Sequence, residues 1–241
     1  MKYRGTAYHG FQRQNNSVAV QNVTEDTLSR LLGEKIVITG CSRTDTGVHA
    51  NEFCFSFKTN SSMNCGVIVR GANALLPDDI AVISAEDADG DFHARYCCTA
   101  KEYVYLILND RVKDPFYTDL ALHYPYPLHI QPMTDAAAYF IGTHDFASFC
   151  GTANLKDNSV RTIEYFNIFK DESFVKFVVK GDGFLYNMVR IMVGTLISVS
   201  EGKFSPDDMP AIIDKKDRRA AGRTAEPHGL YLNRVFYEGG M

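Results

Sequence analysis

The sequence predicts an α+β fold made of two similar halves. Stretches of alternating apolar residues, typical of strands, are interspersed with stretches of helical apolar spacing. Together they give the order strand–helix–strand–strand–helix–strand twice along the 241 residues. This order is that of the split βαβ, or ferredoxin-like, fold. We expect the first half to span residues 1–100 and the second half residues 101–241.

The first half is expected to contain two helices and three strands after an opening strand. Only three residues precede Arg4, so either the opening strand is very short or the chain begins late in the pattern. The other expected elements are a helix capped by Ser17 and ended by Gly33, strands at 35–39, 52–58 and 80–85, and a helix at 65–75.

The second half begins with a predicted strand at 101–108, which places Tyr103, Tyr105 and Ile107 on one face. A loop rich in proline and aromatic residues follows it. The remaining expected elements are helices at 134–141 and 184–199, a hairpin of strands 162–169 and 174–179, a short helix at 206–215, and a final strand at 230–237.

The composition excludes several classes of protein. Hydrophobic residues make up 45% of the chain and charged residues 22%, as in globular domains. The start lacks the apolar run of a signal peptide. The most apolar stretch, residues 184–200, is interrupted by Asn187 and Arg190, which argues against a membrane span. The cysteines form no C-x-x-C pair and the histidines lack metal spacing, so we expect reduced thiols, no metal and a cytoplasmic protein.

The charge distribution bears on nucleic-acid binding in two opposite ways. The net charge of −4 argues mildly against a nucleic-acid partner, because phosphate binding needs a positive surface. Five basic residues nevertheless fall within nine positions, and they form either a local basic face or only a solvated helix end. They are Lys215, Lys216, Arg218, Arg219 and Arg223.

Residues 40–50 form the densest polar segment and lie between two predicted strands. They place Arg43 two residues before Asp45 and include glycines that permit tight turns. A carboxylate beside a guanidinium stays ionised at neutral pH, and in a rigid loop it suits a nucleophile or a base. Alternatively, the segment is only a turn with a local ion pair, because Asp and Gly are common turn residues.

Residues 42–50, with the sequence SRTDTGVHA, resemble the signature G/S-R-T-D-x-G-V-H-A/G of the tRNA pseudouridine synthase A family. An ordered set of such motifs along nearly the whole chain is far more specific than any one of them. The further segments that resemble family motifs are residues 3–14 (the opening segment), 20–21 (V-Q), 92–95 (F-H-A-R), 101–105 (K-x-Y-x-Y), 144–149 (H-D-F-x-S-F), 188–196 (M-V-R to G-x-L) and 229–232 (G-L-x-L).

The resemblance implies a fold and an activity. The fold is that of two ferredoxin-like halves whose antiparallel sheets join, with a catalytic cleft between them. The activity is the isomerisation of uridine to pseudouridine in the anticodon arm of tRNA, at positions 38 to 40, without a cofactor or a metal. A homodimer with the tRNA spanning both subunits is expected, and no membrane partner is expected.

The resemblance also assigns charged residues to the active site. Asp45 aligns with the catalytic aspartate of the family and would act either on the uracil ring or on the ribose. Arg43 and Arg190 match arginines near the catalytic pocket and would support the aspartate, since the guanidinium fork fits a carboxylate. Arg43 is also expected to fill the space left when the base flips out. Taken alone, Arg190 is rather read as a polar break in an apolar helix, with a solvated or snorkelling side chain.

Four further residues are expected to bind the substrate. Tyr103 matches the active-site tyrosine of the family, which would stack on the flipped uracil and help to remove the proton of carbon 5. Leu230 is expected to line the pocket. Phe11 and Gln12, and with them Tyr8, either contact RNA or only shape the opening loop.

The sequence departs from the family pattern at a few positions. Arg4 replaces the usual acidic residue, and Thr46 stands where alanine is common. The short start motivates an alternative function, a non-catalytic tRNA-binding protein or RNA chaperone on the same scaffold. A purely structural α+β module is the third alternative.

Overall fold

The computed structural model describes residues 1–151 and 158–238. It confirms the α+β class, with sheets that are mostly antiparallel. The chain forms two compact units, one made of Met1–Thr99 with the final segment from Tyr231, and one made of Ala100–Leu230. In the described ranges, no helix is both long and apolar enough to cross a membrane.

The first unit has very short strands that pair on both sides of the opening strand. Its elements are β1 (Lys2–Tyr3), α1 (Val20–Leu32), β2 (Thr39–Gly40), β3 (His49–Ala50), β4 (Phe55–Ser56), α2 (Cys65–Leu75) and β5 (Ile80–Ala81). The strand order is β5-β1-β3, antiparallel throughout. A separate antiparallel pair joins β2 to β4. The opening strand is thus very short, and it is paired on both edges.

The prediction of a strand at 35–39 is wrong except at Thr39, the first residue of β2. The backbone N–H of Ile36 donates to Ser29 Oγ at 2.9 Å, and that of Ile38 donates to Glu25 Oε1 at 3.0 Å. These N–H groups are therefore satisfied by side chains of α1 instead of by a neighbouring strand, and both isoleucines are still buried. The strand expected at 52–58 is likewise reduced to β4, and the one at 80–85 to β5.

The two helices of the first unit end as expected, but the first begins later. Ser17 is not its cap, since Ala19 occupies the N-cap position and its N–H donates to Asn22 Oδ1 at 3.2 Å. The helix ends at Gly33, which has the left-handed φ of 71° common at helix ends. The second helix has the predicted bounds.

The second unit contains longer strands, covered by helices. Its elements are β6 (Cys98–Leu108), β7 (Leu122–His123), α3 (Ile130–Ala138), β8 (Gly142–Asp145), β9 (Val160–Asp171), β10 (Phe174–Gly181), α4 (Met188–Ser200) and α5 (Met209–Asp214). The strand order is β6-β10-β9-β8, antiparallel, with β7 parallel to β6. The placement of β10 between β6 and β9 is that of the split βαβ pattern.

Two helices of the second unit differ from the prediction at their starts. The helix expected at 134–141 begins at Ile130, because Pro132 is accepted in its first turn, where N–H groups lack an intrahelical acceptor. The helix expected from 184 begins at Met188, since Asn187 has a left-handed φ of 59° that no α-helix continues through. The helix expected at 206–215 is a 3₁₀ turn, Pro206–Asp208, followed by α5.

The final strand β11 (Leu230–Tyr237) has the predicted bounds. From Tyr231 onward it lies with the first unit, whereas we expected residues 101–241 to stay together. The reason is its parallel pairing with β3, in which Tyr231 is opposite His49 and Leu232 is opposite Ala50.

The core of the second unit is aromatic. Phe140 lies at its centre, with ring contacts to Phe146, Phe149 and Phe166 at centroid distances of 5.0 to 6.5 Å. The helix α4 is buried along nearly its whole length and packs against α3. Its Gly194 lies directly under the backbone of Arg223, where an added Cβ would be 1.8 Å from the carbonyl oxygen.

We expect Gly194→Ala to lower the free energy of unfolding by about 2 kcal/mol, because the clash is with backbone and cannot be relieved by a rotamer change. Urea unfolding followed by circular dichroism measures the loss. The matched control is Gly90→Ala, where an added Cβ meets nothing within 4 Å, and its effect should stay within about 0.5 kcal/mol. Equal stabilities of the two variants would contradict the packing argument.

Asp145 gives the second unit a contribution to stability that depends on pH. The Lys216 ammonium, 2.9 Å away, and the Ser159 hydroxyl hold the pKa of Asp145 below its usual value. Because the pKa of Asp145 is lowered in the folded state, its carboxylate stabilises the fold at pH values above the unfolded pKa of about 3.9. This contribution is lost as the pH falls through the folded pKa.

Asp145→Asn should therefore cost about 1 kcal/mol or less at pH 7, because the pair lies near the surface. The difference from wild type should shrink as the pH falls below the unfolded pKa of about 3.9 and through the lower folded pKa of Asp145, since the carboxyl then becomes protonated in both states. Denaturant midpoints measured between pH 7 and pH 3 test this. A deficit that persists unchanged at low pH would rule out the ion pair as its source.

Candidate active site

The segment from Cys41 to Val48, here called the Asp45 loop, connects β2 to β3. Asp45 begins a tight turn in which its carbonyl oxygen accepts from Val48 N at 3.1 Å. Gly47 has a φ of 77°, as the third residue of a type II turn requires. The Asp45 side chain is half-buried and that of Arg43 is exposed.

The opening segment, residues 3–14, fixes the Asp45 loop by hydrogen bonds. Phe11 N donates to the Thr44 carbonyl at 3.1 Å, and Gly47 N donates to the Tyr8 carbonyl at 3.3 Å. The hydroxyls of Tyr3 and Thr44 lie 2.7 Å apart. The residues on both sides of Asp45 are thereby held, which is the rigidity that a catalytic carboxylate needs.

Two glycines allow the opening segment to approach the Asp45 loop. A Cβ on Gly5 would be 2.0 Å from the Val48 carbonyl oxygen. A Cβ on Gly10, which has a φ of 79°, would be 2.6 Å from that of Thr44. Only glycine permits backbones to come this close.

Tyr8 anchors the opening segment from the other side. Its hydroxyl donates to Asp79 Oδ1 at 2.5 Å. Burial, and then the Asp79 carboxylate, raise the pKa of Tyr8 well above its usual value. The phenol therefore stays protonated and keeps donating at all physiological pH values.

His49 has the structural role that its lack of metal spacing indicates. Its ring is 1% exposed and its Nδ1 accepts from Gly5 N at 2.9 Å. It also stacks on Tyr231 at a centroid distance of 4.7 Å. Among the residues that the structure describes, no group of three or more His, Cys, Asp or Glu side chains could hold a metal ion.

The two expected RNA contacts of the opening segment differ in environment. Phe11 is 3% exposed and stacks on Phe53 at 4.2 Å, so its ring shapes the loop from within the core. Gln12 is exposed. Of the two alternatives for these residues, the structure favours packing for Phe11, and it places Gln12 at the surface.

In the second unit, Tyr103 lies on β6 opposite Val179 of β10. Its ring is buried and meets Phe184 edge-on at a centroid distance of 5.1 Å. Leu230, the first residue of β11, is also buried.

Arg190 of α4 is held in place, which differs from the alternative of a snorkelling side chain. Its Nε donates to the Ala225 carbonyl at 2.7 Å and its Nη1 donates to Asn187 Oδ1 at 2.7 Å. Ala225 N in turn donates to the Arg190 carbonyl at 3.0 Å. These contacts fix the plane of the guanidinium, as recognition of an anion by both arms of the fork requires.

The five basic residues at 215–223 do not form a uniformly free positive face. Lys216 pairs with Asp145, Arg219 with Asp217 at 2.7 Å, and Arg223 with Glu201 at 3.5 Å. The Arg219 guanidinium lowers the pKa of Asp217 to about 2.

The sequence prediction missed the residues that hold the Asp45 loop. They include Thr44 and Asp79, which are hydrogen-bonded to the hydroxyls of Tyr3 and Tyr8. Tyr8 itself was expected either to contact RNA or to shape the opening loop. The signal available was the opening motif itself, whose tyrosines and glycines serve the loop and not the substrate alone.

Comparisons with known proteins identify the family of the chain. The profile of a family described as tRNA pseudouridine synthase matches residues 1–97 and 136–238. A protein of Thermoanaerobacter sp. named tRNA pseudouridine synthase A is 44% identical over 98% of this chain and 97% of its own length. Proteins of the same name from Acetivibrio thermocellus and Clostridium acetobutylicum are 44% and 42% identical over the same shares.

Among solved structures, a chain of a Cbf5-Nop10-Gar1 complex aligns with 98% of this chain and 50% of its own length. The TM-score of 0.41 and the identity of 14% are too low to bear on function. The match to the family profile and the identities to the three relatives, by contrast, establish the family of the chain. The chain belongs to the tRNA pseudouridine synthase family.

Proposed function

We propose that this protein isomerises uridine to pseudouridine in tRNA, with Asp45 as the catalytic carboxylate. One observation carries the proposal: relatives named tRNA pseudouridine synthase A are 44% identical over 98% of the chain. The geometry of the first unit supports the role of Asp45, because its loop is tied to the opening segment on both sides of this residue.

The reaction breaks the bond between uracil N1 and ribose carbon 1′ and forms a bond from carbon 5 to the same ribose carbon. Carbon 5 loses its proton and N1 gains one, so atoms and electrons balance without a redox partner or a cofactor. Asp45 starts the reaction either by attack on the uracil ring or by action on the ribose. In both routes an ionised carboxylate is the required form.

We assign supporting roles to residues of both units. Arg43 supports Asp45 and replaces the flipped base, since the target nucleotide must leave the stack to react. Arg190 is the second active-site cation, and its fixed guanidinium supports that role. Tyr103 stacks on the uracil and assists removal of the carbon 5 proton, and Leu230 lines the uracil pocket.

The finer features of the proposal rest on the family signature. The target is the anticodon arm of tRNA at positions 38 to 40, with Gln12 among the residues that bind it and Phe11 shaping their loop. The protein acts as a cytoplasmic homodimer. The pairing of β1 on both edges shows that the short opening strand is still part of the sheet, and the turnover assay below separates catalysis from the non-catalytic alternative.

Asp45→Asn should abolish turnover and leave tRNA binding within about threefold of wild type, because the amide is isosteric but cannot act as a nucleophile or base. Release of tritium from tRNA labelled at uracil carbon 5 measures turnover, since the reaction must expel that hydrogen. Filter binding measures affinity.

The control is Asp26→Asn, the same change at an exposed carboxylate of the first unit, which should retain full turnover. Strong residual turnover in Asp45→Asn would contradict the role of Asp45. A folded wild-type protein that binds tRNA but releases no tritium would favour the RNA chaperone.

Tyr103→Phe should lower tritium release by about 10²-fold at saturating tRNA if its hydroxyl assists proton removal, a typical contribution of general base catalysis. The matched control is Tyr105→Phe, two residues along the same face of β6. The Tyr105 hydroxyl donates to the Glu226 carbonyl at 2.7 Å, so that variant should lose stability but keep its turnover. Full turnover in Tyr103→Phe would limit this residue to stacking.

A further inference from the structure

Glu25 is a buried carboxylate in the middle of α1 that the proposed chemistry does not use. Its side chain is 5% exposed. Oε2 accepts from Arg13 Nη2 at 2.6 Å, and Oε1 accepts from Gln21 Nε2 at 2.8 Å and from Ile38 N at 3.0 Å. One carboxylate thus joins the opening segment, α1 and the segment that leads into β2.

Each of these contacts continues toward the Asp45 loop. The Gln21 side chain accepts from Arg13 N at 3.0 Å, and Gln21 N donates to the Phe11 carbonyl at 2.9 Å. Phe11 N donates to the Thr44 carbonyl at 3.1 Å, directly before Asp45. On the other side, Ile38 is followed by the two residues of β2, after which the Asp45 loop begins.

We propose that Glu25 is a positioning residue for catalysis, which fixes the Asp45 loop through Arg13, Gln21 and Ile38. This inference rests on the proposed function, because it assigns Glu25 an effect on the reaction of Asp45. It touches no substrate itself. Its carboxylate sets the spacing between the two segments that support the ends of the loop.

The energetics favour positioning over stability as the main role. Burial of a carboxylate costs free energy that an ion pair often only offsets, so a buried pair is weak support for a fold. The Arg13 side chain is half-exposed, which weakens the pair further. The position of the Asp45 loop affects the rate much more strongly, since a displacement of about 1 Å at a catalytic group costs up to about 10²-fold in rate.

The test compares three variants in the full-length protein by tritium release at saturating tRNA, tRNA affinity and thermal unfolding. Glu25→Ala removes every contact, and kcat should fall by about 10- to 100-fold, with Kd for tRNA within about threefold. Glu25→Gln keeps an amide oxygen for the Ile38 and Gln21 donors but turns a donor toward Arg13. It should therefore recover part of the rate, with kcat about three- to tenfold below wild type.

Asp26→Asn is the matched control. Asp26 is the next residue on the same helix and lies 3.9 Å from the same Arg13 nitrogen, but its side chain is 81% exposed. This variant should keep the wild-type kcat.

The outcomes separate three cases. A merely structural Glu25 would lower the melting temperature but leave kcat of the folded protein unchanged in Glu25→Ala and Glu25→Gln, and that result overturns the inference. If Glu25→Ala does not fold, an unchanged kcat in Glu25→Gln overturns it alone. Wild-type protein that binds tRNA without releasing tritium would instead refute the proposed function.

Discussion

The hydrogen bond from Phe11 N to the Thr44 carbonyl is one of the contacts that hold the Asp45 loop to the opening segment. It joins the opening segment to the residue before Asp45, at a place where no strand pairing holds the loop. Because Gly5 and Gly10 bring the backbones close, neither segment can move without the other. A short loop with few partners would otherwise sample several conformations, and a carboxylate on it would not keep one direction.

Side chains replace strand pairing through much of the first unit. Ser29 and Glu25 accept from the backbone before β2, and Asn73 of α2 both donates to and accepts from the backbone of Val82. The helices thus satisfy backbone groups that a longer sheet would have paired. The second unit differs, since β10 pairs along its whole length with β6 and β9.

This difference explains which elements could be predicted. The helix Cys65–Leu75 has the predicted bounds because its apolar spacing marks its body and Pro77 marks its end. In the structure Asn64 caps its start, and its side chain accepts from Gly66 N. The alternation of Ile36 and Ile38 predicts that both side chains are buried, and this is confirmed. The same alternation would be seen whether their N–H groups donate to a neighbouring strand or, as here, to side chains of α1. The periodicity of apolar residues predicts which side chains are buried, but it does not identify the acceptors of the backbone N–H groups.

The same limit applies to the candidate site. The motif at residues 42–50 singled out Asp45 and Arg43, because a family motif marks the positions at which chemistry is expected. Glu25 carries no such signal, since a glutamate in a polar helix is ordinarily exposed. Its burial and its three donors emerge only when the opening segment and the approach to β2 close around α1. Phe11 shows the converse, as its place in a motif suggested contact with RNA while its ring lies in the core.

The ion pairs of the basic residues at 215–223 have a consequence for how salt would act on RNA binding. A phosphate that binds a free lysine or arginine releases a condensed counterion from the nucleic acid, and that release makes affinity fall steeply with salt. At Arg219 the bound Asp217 carboxylate must first be displaced, and the exchange of one anion for another yields less net charge neutralisation. A phosphate that bound at this face would meet ion pairs that are already formed, so its exact placement would count for more than the number of phosphates.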